Sequence, residues 1–332
     1  MITMKEQIII DTDWGGDALQ LMSVLLAHPE RFDIAAATTV FGNTSHDYAL
    51  QNCGDILHML HADHIPYYPG ADKPSDRDVG PGDGAHGQNG IGGVLLDHTP
   101  IPPQSERACD IIPEILIQAP ERTVSLIAVG PQTNNSIAFQ QIPDAMKRVK
   151  QILIMGGCTA EMNAVDMPLR KGNIEANAEF NFNQAPHDAD IILNSGLPII
   201  LFPMNCTHQM TVTPEREDMI RQSFSHTPDL MEKVVRLMTA PAEIDMQKFG
   251  ISPVMHDVHT ALYLLHPDQY VGRRGCITVG SNGRTDFKAD PNGNVLSMDT
   301  VKNPDLLFQT VLHSLSARLM PQPEPHPFSL ET

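Results

Sequence analysis

No uncharged stretch of this sequence reaches the ~18 apolar residues that a membrane-spanning helix requires. The opening MITMKEQIIIDTD has too short an apolar run, and no small-residue cleavage site, for a signal peptide. Positive charge is scarce: 22 lysines and arginines stand against 40 aspartates and glutamates, a formal charge of −18. That balance argues against nucleic acid or an anionic membrane surface as a partner, and it supplies carboxylates for a cation site. Cysteine pairs are missing too. Cys53, Cys109, Cys158, Cys206 and Cys276 form no CxxC motif and are odd in number, as expected in a reducing cytoplasm rather than a secreted scaffold. No GxGxxG follows the first apolar run, which speaks against dinucleotide binding. Internal repeats and clean linkers are also absent. The 332 residues are therefore read as a single domain, 1–332, ending in a proline-rich tail at about 320–332 that is expected to fray.

What is present is an alternation of periods. Continuous apolar runs at Ile8–Ile10, Phe32–Val40, Val124–Val129, Gln151–Met155 and Pro198–Pro203 have the pattern of parallel strands buried on both faces. Helical patterns fall between them, at Ala18–Ala27, His46–His61, Asn134–Gln140 and His187–Asn194. After Thr213 the character shifts to helices at Pro214–Ser223, Pro228–Met238 and His256–His266, a strand near Cys276–Val279 and a last helix near Pro304–Leu319. The alternation predicts an α/β fold: a mixed, mostly parallel sheet with a Rossmann-like core, flanked by helices.

Four segments carry chemistry. In IIIDTDWGGD, Asp11 ends a buried strand, and Asp13 and Asp17 follow on the turn into a helix. Ligands of open α/β sheets bind outside the carboxyl ends of strands, and three carboxylates there need a positive charge among them, such as a hard divalent cation. The alternative is ordinary: Asp11 as a turn former and Asp17 as a helix cap. LIAVGPQTNNSIAF is a second strand–turn–helix junction, with Thr133 or Asn134 opening the helix. GNIEANAEFNF places Asn173, Glu179 and Asn181 in a stretch that reads as an irregular loop, polar groups suited to sugar hydroxyls. In PVMHDVHTALYLL, His256 and Asp257 stand at a helix start. The Gly-rich Val79–Gly93 reads either as a lid over the site or as a plain surface loop.

In chain order these segments resemble the inosine–uridine nucleoside hydrolases. DTDWGGDA is similar to the family's DTDPGxDDA, FGNT (Phe41–Thr44) to its GN turn, and HGQNGIGG (His86–Gly93) to its HGxDGLGG loop. AVGPQTN resembles AxGPLTN, MGG (Met155–Gly157) is the next landmark, GNIEANAEFN resembles GNxxxxAEFN, and the late HD falls at His256–Asp257. The resemblance implies hydrolysis of a ribonucleoside N-glycosidic bond by an activated water at Ca²⁺. It implies Asp13, Asp17, Asp257 and the Thr133 carbonyl as metal ligands, and Asp13 as general base. Asp17, Asn43, His86, Asn173, Glu179 and Asn181 would hold the nucleoside substrate, and His256 would protonate or polarise the leaving base. A homodimer or homotetramer is implied as well. The region about Pro228–Gly250, with Met246, Lys248 and Phe249, would meet the base.

The motif also departs from the family. Aligned without a gap, Ala18 occupies the position of a metal-ligating aspartate and Asp17 that of a ribose-binding one; with a turn shortened by one residue, Asp17 becomes the metal ligand. Trp14 replaces a proline, expected to narrow the pocket or offer a stacking face. Asn89 and Asn205 each replace an aspartate. A catalytically impaired nucleoside- or ribose-binding protein of the same fold is therefore the alternative. A haloacid dehalogenase-type phosphatase would use Asp11 as nucleophile, but it has no place for GPQTN, AEFN and HD.

Overall fold

The computed structural model describes residues 5–80, 86–159, 172–174, 177–240 and 242–320, with the backbone alone at 242–244 and 248. The first apolar run forms strand β1 (Glu6–Thr12), which pairs in parallel with β2 (Phe32–Thr39) on one side and β4 (Val124–Ala128) on the other. Beyond these lie β3 (Tyr67–Tyr68), β5 (Gln151–Met155), β6 (Ile199–Phe202), β7 (Tyr270–Val279), β8 (Thr285–Ala289) and β9 (Val295–Val301). The sheet runs β3-β2-β1-β4-β5-β6-β9-β7-β8, parallel throughout except that β7 is antiparallel to both of its neighbours. This is the mixed, mostly parallel α/β architecture that the sequence predicts.

Alternation along the strands divides the core in two. Ile8 and Ile10 of β1 join an apolar cluster with the helices Asp17–Leu26, His46–Met59, Pro228–Thr239, Val258–Leu265 and Pro304–Leu319. Ile9 faces the other way, into a cluster with the helices Ala108–Gln118, Thr133–Gln141 and Pro186–Leu193. A strand covered on both faces must be apolar at every position, which is why β1, β4, β5 and β6 read as unbroken hydrophobic runs.

The helices expected at Pro214–Ser223, Pro228–Met238, His256–His266 and Pro304–Leu319 fall where the sequence places them, within a few residues, whereas the helix Ala242–Phe249 among them was not expected. Five further elements differ. The helix Ala108–Gln118 contains Pro113 and was not expected. β8 and β9 were not expected either, and β7 begins six residues before Cys276. Phe180–Gln184 is a short helix rather than irregular loop, because the Glu179 side chain caps it by accepting the Asn181 and Phe182 amides. The expected fraying tail falls on 321–332, outside the described residues.

Strand order reverses between β1 and β4, since the chain builds outward to β2 and β3 on one side and to β5 and β6 on the other. Such a switch point opens a crevice at the carboxyl ends of the two central strands. Here those ends are Asp11–Asp13 and the turn Val129–Thr133.

Candidate active site

The two aspartates of the first motif have different surroundings. Asp11 is 1% exposed and fully engaged: its Oδ1 accepts from Thr38 Oγ1 (2.6 Å) and Asn134 Nδ2 (2.8 Å), and its Oδ2 from Asn135 Nδ2 (3.2 Å). Burial raises its pKa to about 6 against those three donors. A carboxylate held this way ties β1, β2 and the helix after β4 together. It cannot turn to attack a phosphate, so a nucleophilic role for Asp11 is excluded.

Asp13 is equally buried but takes a different set of partners, chiefly the Asn43 amide at 2.7 Å. Burial raises its pKa to about 7, and the charge of Asp11 adds to the effect. Asp17 rises to about 7, first through burial and then through the charges of Asp13 and Asp245, although the His256 and Asp257 amides donate to it. Asp257 is pushed well above the carboxylate range by burial and by Asp17, Asp13 and Glu179. Glu179 reaches about 7 through burial, with Asp13 as a further cause. The sheet thus collects Asp13 and Asp17, Glu179 and Asp257 from three separate segments into one group of interacting charges. Neither Lys nor Arg figures among the causes of any of these four shifts.

Neither Asp17 nor Asp257 caps its own helix. Gly16 and Asp257 occupy the N-cap positions, and neither makes a side-chain cap. Neither carboxylate is therefore committed to capping its own helix. Ala18 packs in the apolar cluster. Trp14 is fully buried there too, at φ 48°, with its indole N–H donating to the Thr38 carbonyl at 2.9 Å. It offers no stacking face to a ligand, contrary to the sequence expectation, because the left-handed turn after Asp13 sends the indole into the core.

The remaining candidates frame this group. Thr133 opens the helix after β4, its hydroxyl held by Asp188 at 2.8 Å. Asn181 donates to the carbonyls of Val129 (3.1 Å) and Met155 (3.2 Å), so it bridges the ends of β4 and β5. Glu179 also accepts from the Gly157 amide at 2.9 Å, just past β5. Asn173 is half-buried in the stretch 172–174, which is joined to the residue before Glu179 by the Ile174 amide on the Ala178 carbonyl (3.3 Å). Asn89 and Asn205 have structural bonds: Asn89 accepts the Gly93 amide (3.0 Å), and Asn205 accepts the Thr159 amide (2.9 Å).

His256 is half-buried. Desolvation, then the neighbouring His208, His259 and His86, lower its pKa well below the usual histidine value, so the ring is neutral. The His208 ring lies 5.7 Å from it and 4.9 Å, edge-on, from Phe249. Phe249 is thus linked to the site through His208, whereas Met246 is 56% exposed and the Lys248 side chain lies outside the described residues. Residues 81–85 of the Gly-rich segment also lie outside them.

Sequence reasoning missed three groups: Asp245, Thr207 and His208. Asp245 comes from the helix Ala242–Phe249, buried, with the Val254 amide on its Oδ2 at 3.0 Å. Thr207 and His208 follow β6, and the Thr207 hydroxyl meets His256 Nδ1 at 2.8 Å. No local pattern flags them; only the place of Thr207 and His208 just beyond a strand end could have, and Asp245, inside a helix, gives no such signal.

As a donor set, Asp13, Asp17 and Asp257 are hard oxygen ligands buried together, the chemistry a divalent cation such as Ca²⁺ selects. Among the described residues, no group of three His, Cys, Asp or Glu stands close enough to hold a metal ion as they are placed here. The fit rests on donor chemistry and uncompensated charge, not on a formed cage. No helix among the described residues is long and apolar enough to cross a membrane.

Residues 8–307 match the model of a family described as inosine-uridine preferring nucleoside hydrolase. Among individual proteins, the chain is 31% identical over 272 residues to an uncharacterised protein of Schizosaccharomyces pombe, covering 81% of this chain and 83% of that one. It is 28% identical over 281 residues to a pyrimidine-specific ribonucleoside hydrolase RihA of Klebsiella pneumoniae, covering 85% and 86%. Its fold is similar to that of a purine-preferring ribonucleoside hydrolase from Gardnerella vaginalis, with TM-score 0.83, 22% identity and coverage of 94% and 99%. A plant nucleoside hydrolase gives TM-score 0.81 at 24% identity, covering 95% and 100%.

Proposed function

The chain belongs to the inosine-uridine preferring nucleoside hydrolase family, and on that footing we propose that it hydrolyses the N-glycosidic bond of a ribonucleoside to ribose and a free nucleobase. The observation that carries the reading is the buried group Asp13, Asp17, Glu179 and Asp257 at the β1/β4 switch point, in which Asp13 raises the pKa of the other three and Asp17 and Glu179 add to the rise of Asp257. Breaking C1′–N builds positive charge on the ribose, as in glycoside hydrolysis, and a nest of carboxylates favours that charge.

Asp13 takes the proton of the attacking water, whose oxygen joins C1′. The C1′–N electron pair leaves with the base, which takes up a proton from solvent as Asp13 returns its own. Neutral His256 polarises the departing base as a hydrogen-bond donor. Asp17, Asp257 and the Thr133 carbonyl would hold Ca²⁺ together with Asp13. Bound there, the ion supplies compensating charge and makes a water more acidic. The burial of Ala18 in the core, and the field of Asp17 on Asp257, support Asp17 as the cation-facing carboxylate of the motif. Ribose contacts fall to Asn43, His86, Asn173, Glu179 and the Asn181 carbonyl oxygen. The Asn181 amide protons are already committed. A cytoplasmic homodimer or homotetramer completes the reading.

The test is ribose release from a panel of purine, pyrimidine and modified nucleosides, with Ca²⁺ and with chelator, beside an Asp13→Asn control. Cation-dependent turnover that disappears in the variant supports the hydrolase. Saturable nucleoside binding without turnover would instead make this a binding protein of the same fold.

A further inference from the structure

We infer that Thr207 is a positioning residue for leaving-group departure: its hydroxyl donates to His256 Nδ1 and fixes the ring as the tautomer that carries its proton on Nε2. The inference rests on the hydrolase reading above and adds to it a residue from the short helix that follows β6.

Thr207 ends the short helix Met204–Thr207, which follows directly on β6, and it is fully buried. Its Oγ1 lies 2.8 Å from His256 Nδ1. A threonine hydroxyl has one proton to give, and two acceptors compete for it here. The other is the Met204 carbonyl, farther away at 3.4 Å and already accepting the His208 amide at 2.9 Å. The proton therefore goes to the shorter contact, toward a ring nitrogen whose lone pair is a good acceptor. Nδ1 is then bare, and a neutral imidazole must carry its hydrogen on Nε2.

Among the described residues the His256 ring makes one hydrogen bond, that between Nδ1 and the Thr207 hydroxyl, and the ring is half-buried. Nδ1 is thus anchored to the sheet while the opposite nitrogen is left for a ligand. The backbone amides of His256 and Asp257 both donate to the Asp17 carboxylate, so the ring stands at the edge of the same site. When C1′–N breaks, its electron pair moves onto the base. A donor already pointing at that base stabilises the charge without a prior ring flip. The other tautomer would present a lone pair to the same atom and repel it.

The experiment compares full-length wild type with Thr207→Val, which removes the hydroxyl at constant shape, and Thr207→Ser, which restores it. Each is assayed on the wild type's best nucleoside and on p-nitrophenyl β-D-ribofuranoside, whose phenolate leaves without help. In Thr207→Val the ratio of nucleoside kcat to p-nitrophenyl riboside kcat should fall about tenfold or more, as expected for part of a proton-donor effect. Thr207→Ser should recover the ratio to within about threefold of wild type. Equal losses on both substrates, or none, overturn the assignment. Independently, nitrogen-15 histidine spectra, with His256 assigned by difference against His256→Gln, should show a protonated Nε2 and a bare Nδ1 in the wild type. The reverse pattern overturns it. A wild type that cleaves neither substrate refutes the hydrolase reading itself, which is distinct from a wild type that cleaves both and a Thr207→Val that leaves their ratio unchanged.

Discussion

Asp11 and Asp13 are two residues apart, on the same side of the strand end, and chemistry assigns them opposite duties. Asp11 is satisfied by three side-chain donors, Thr38, Asn134 and Asn135. Replacing it with asparagine puts an N–H₂ against at least one of those donors and leaves a buried pair mismatched. Asp11→Asn should therefore cost about 1–3 kcal/mol of stability by denaturant titration. Asp13 instead acts on other carboxylates, its charge raising the pKa of Asp17, Glu179 and Asp257. Asp13→Asn removes one charge from that group. Turnover should fall roughly 10²–10⁴-fold, while the melting temperature in chelator holds or rises. A variant pair with the two effects exchanged would reverse the assignment. The sequence shows both aspartates at a strand end but not which is bonded out, because their partners come from β2 and from the helix after β4.

At the scale of elements, the site depends on how closely the first helix approaches the helix Pro228–Thr239. Gly16, the N-cap of Asp17–Leu26, has no room for a side chain: a Cβ there would collide with the Leu237 carbonyl. Gly16→Ala should cost about 1–3 kcal/mol as an overpacked contact. Calorimetry should record a lower melting temperature, by roughly 2–4 °C for each kcal/mol. An unchanged melting temperature would mean that the two helices separate freely. The same tight turn holds Trp14 at positive φ, a conformation costing roughly 1–3 kcal/mol that the buried indole and its bond to Thr38 offset.

Elements buried on both faces were legible in advance, since the middle of β1 and most of β4, β5 and β6 are apolar. β8 was not, because it is an edge strand with three of its five residues exposed or nearly so. β9 carries Ser297, Asp299 and Thr300, which break the apolar run although the strand lies inside the sheet. The Ala108–Gln118 helix was obscured by Pro113, which lacks the amide that position would otherwise donate.

Across the whole molecule, the carboxylate group links stability to pH and to cations. Asp13, Asp17 and Glu179 rise to about 7 in the fold, whereas unfolded carboxylates titrate near about 4. Between those values the native state binds more protons than the unfolded one. The stability these groups contribute is fully present below pH ~4 and is lost as pH rises through ~7. A divalent cation answers the same charge, so the calcium-induced rise in melting temperature should be larger at pH 8 than at pH 5. Scanning calorimetry in calcium and in chelator at both values tests this. Equal shifts at the two pH values would place the cation elsewhere.

The order of the central strands β1, β2, β4, β5 and β6, the acidic turn after β1, the GPQTN junction and the late HD pair were all determined by the sequence alone. Each is a local pattern, set by burial on two faces, by a strand ending in polar residues, or by a helix start. Only the tertiary structure decided that Asp11 is a structural hub, that Trp14 faces the core, that Asp245 adds its charge to Asp17, and that Thr207 holds His256. Those are contacts between residues tens to more than two hundred positions apart. They exist because parallel strands bring their carboxyl ends to one edge, and no spacing within the chain records which side chains meet there.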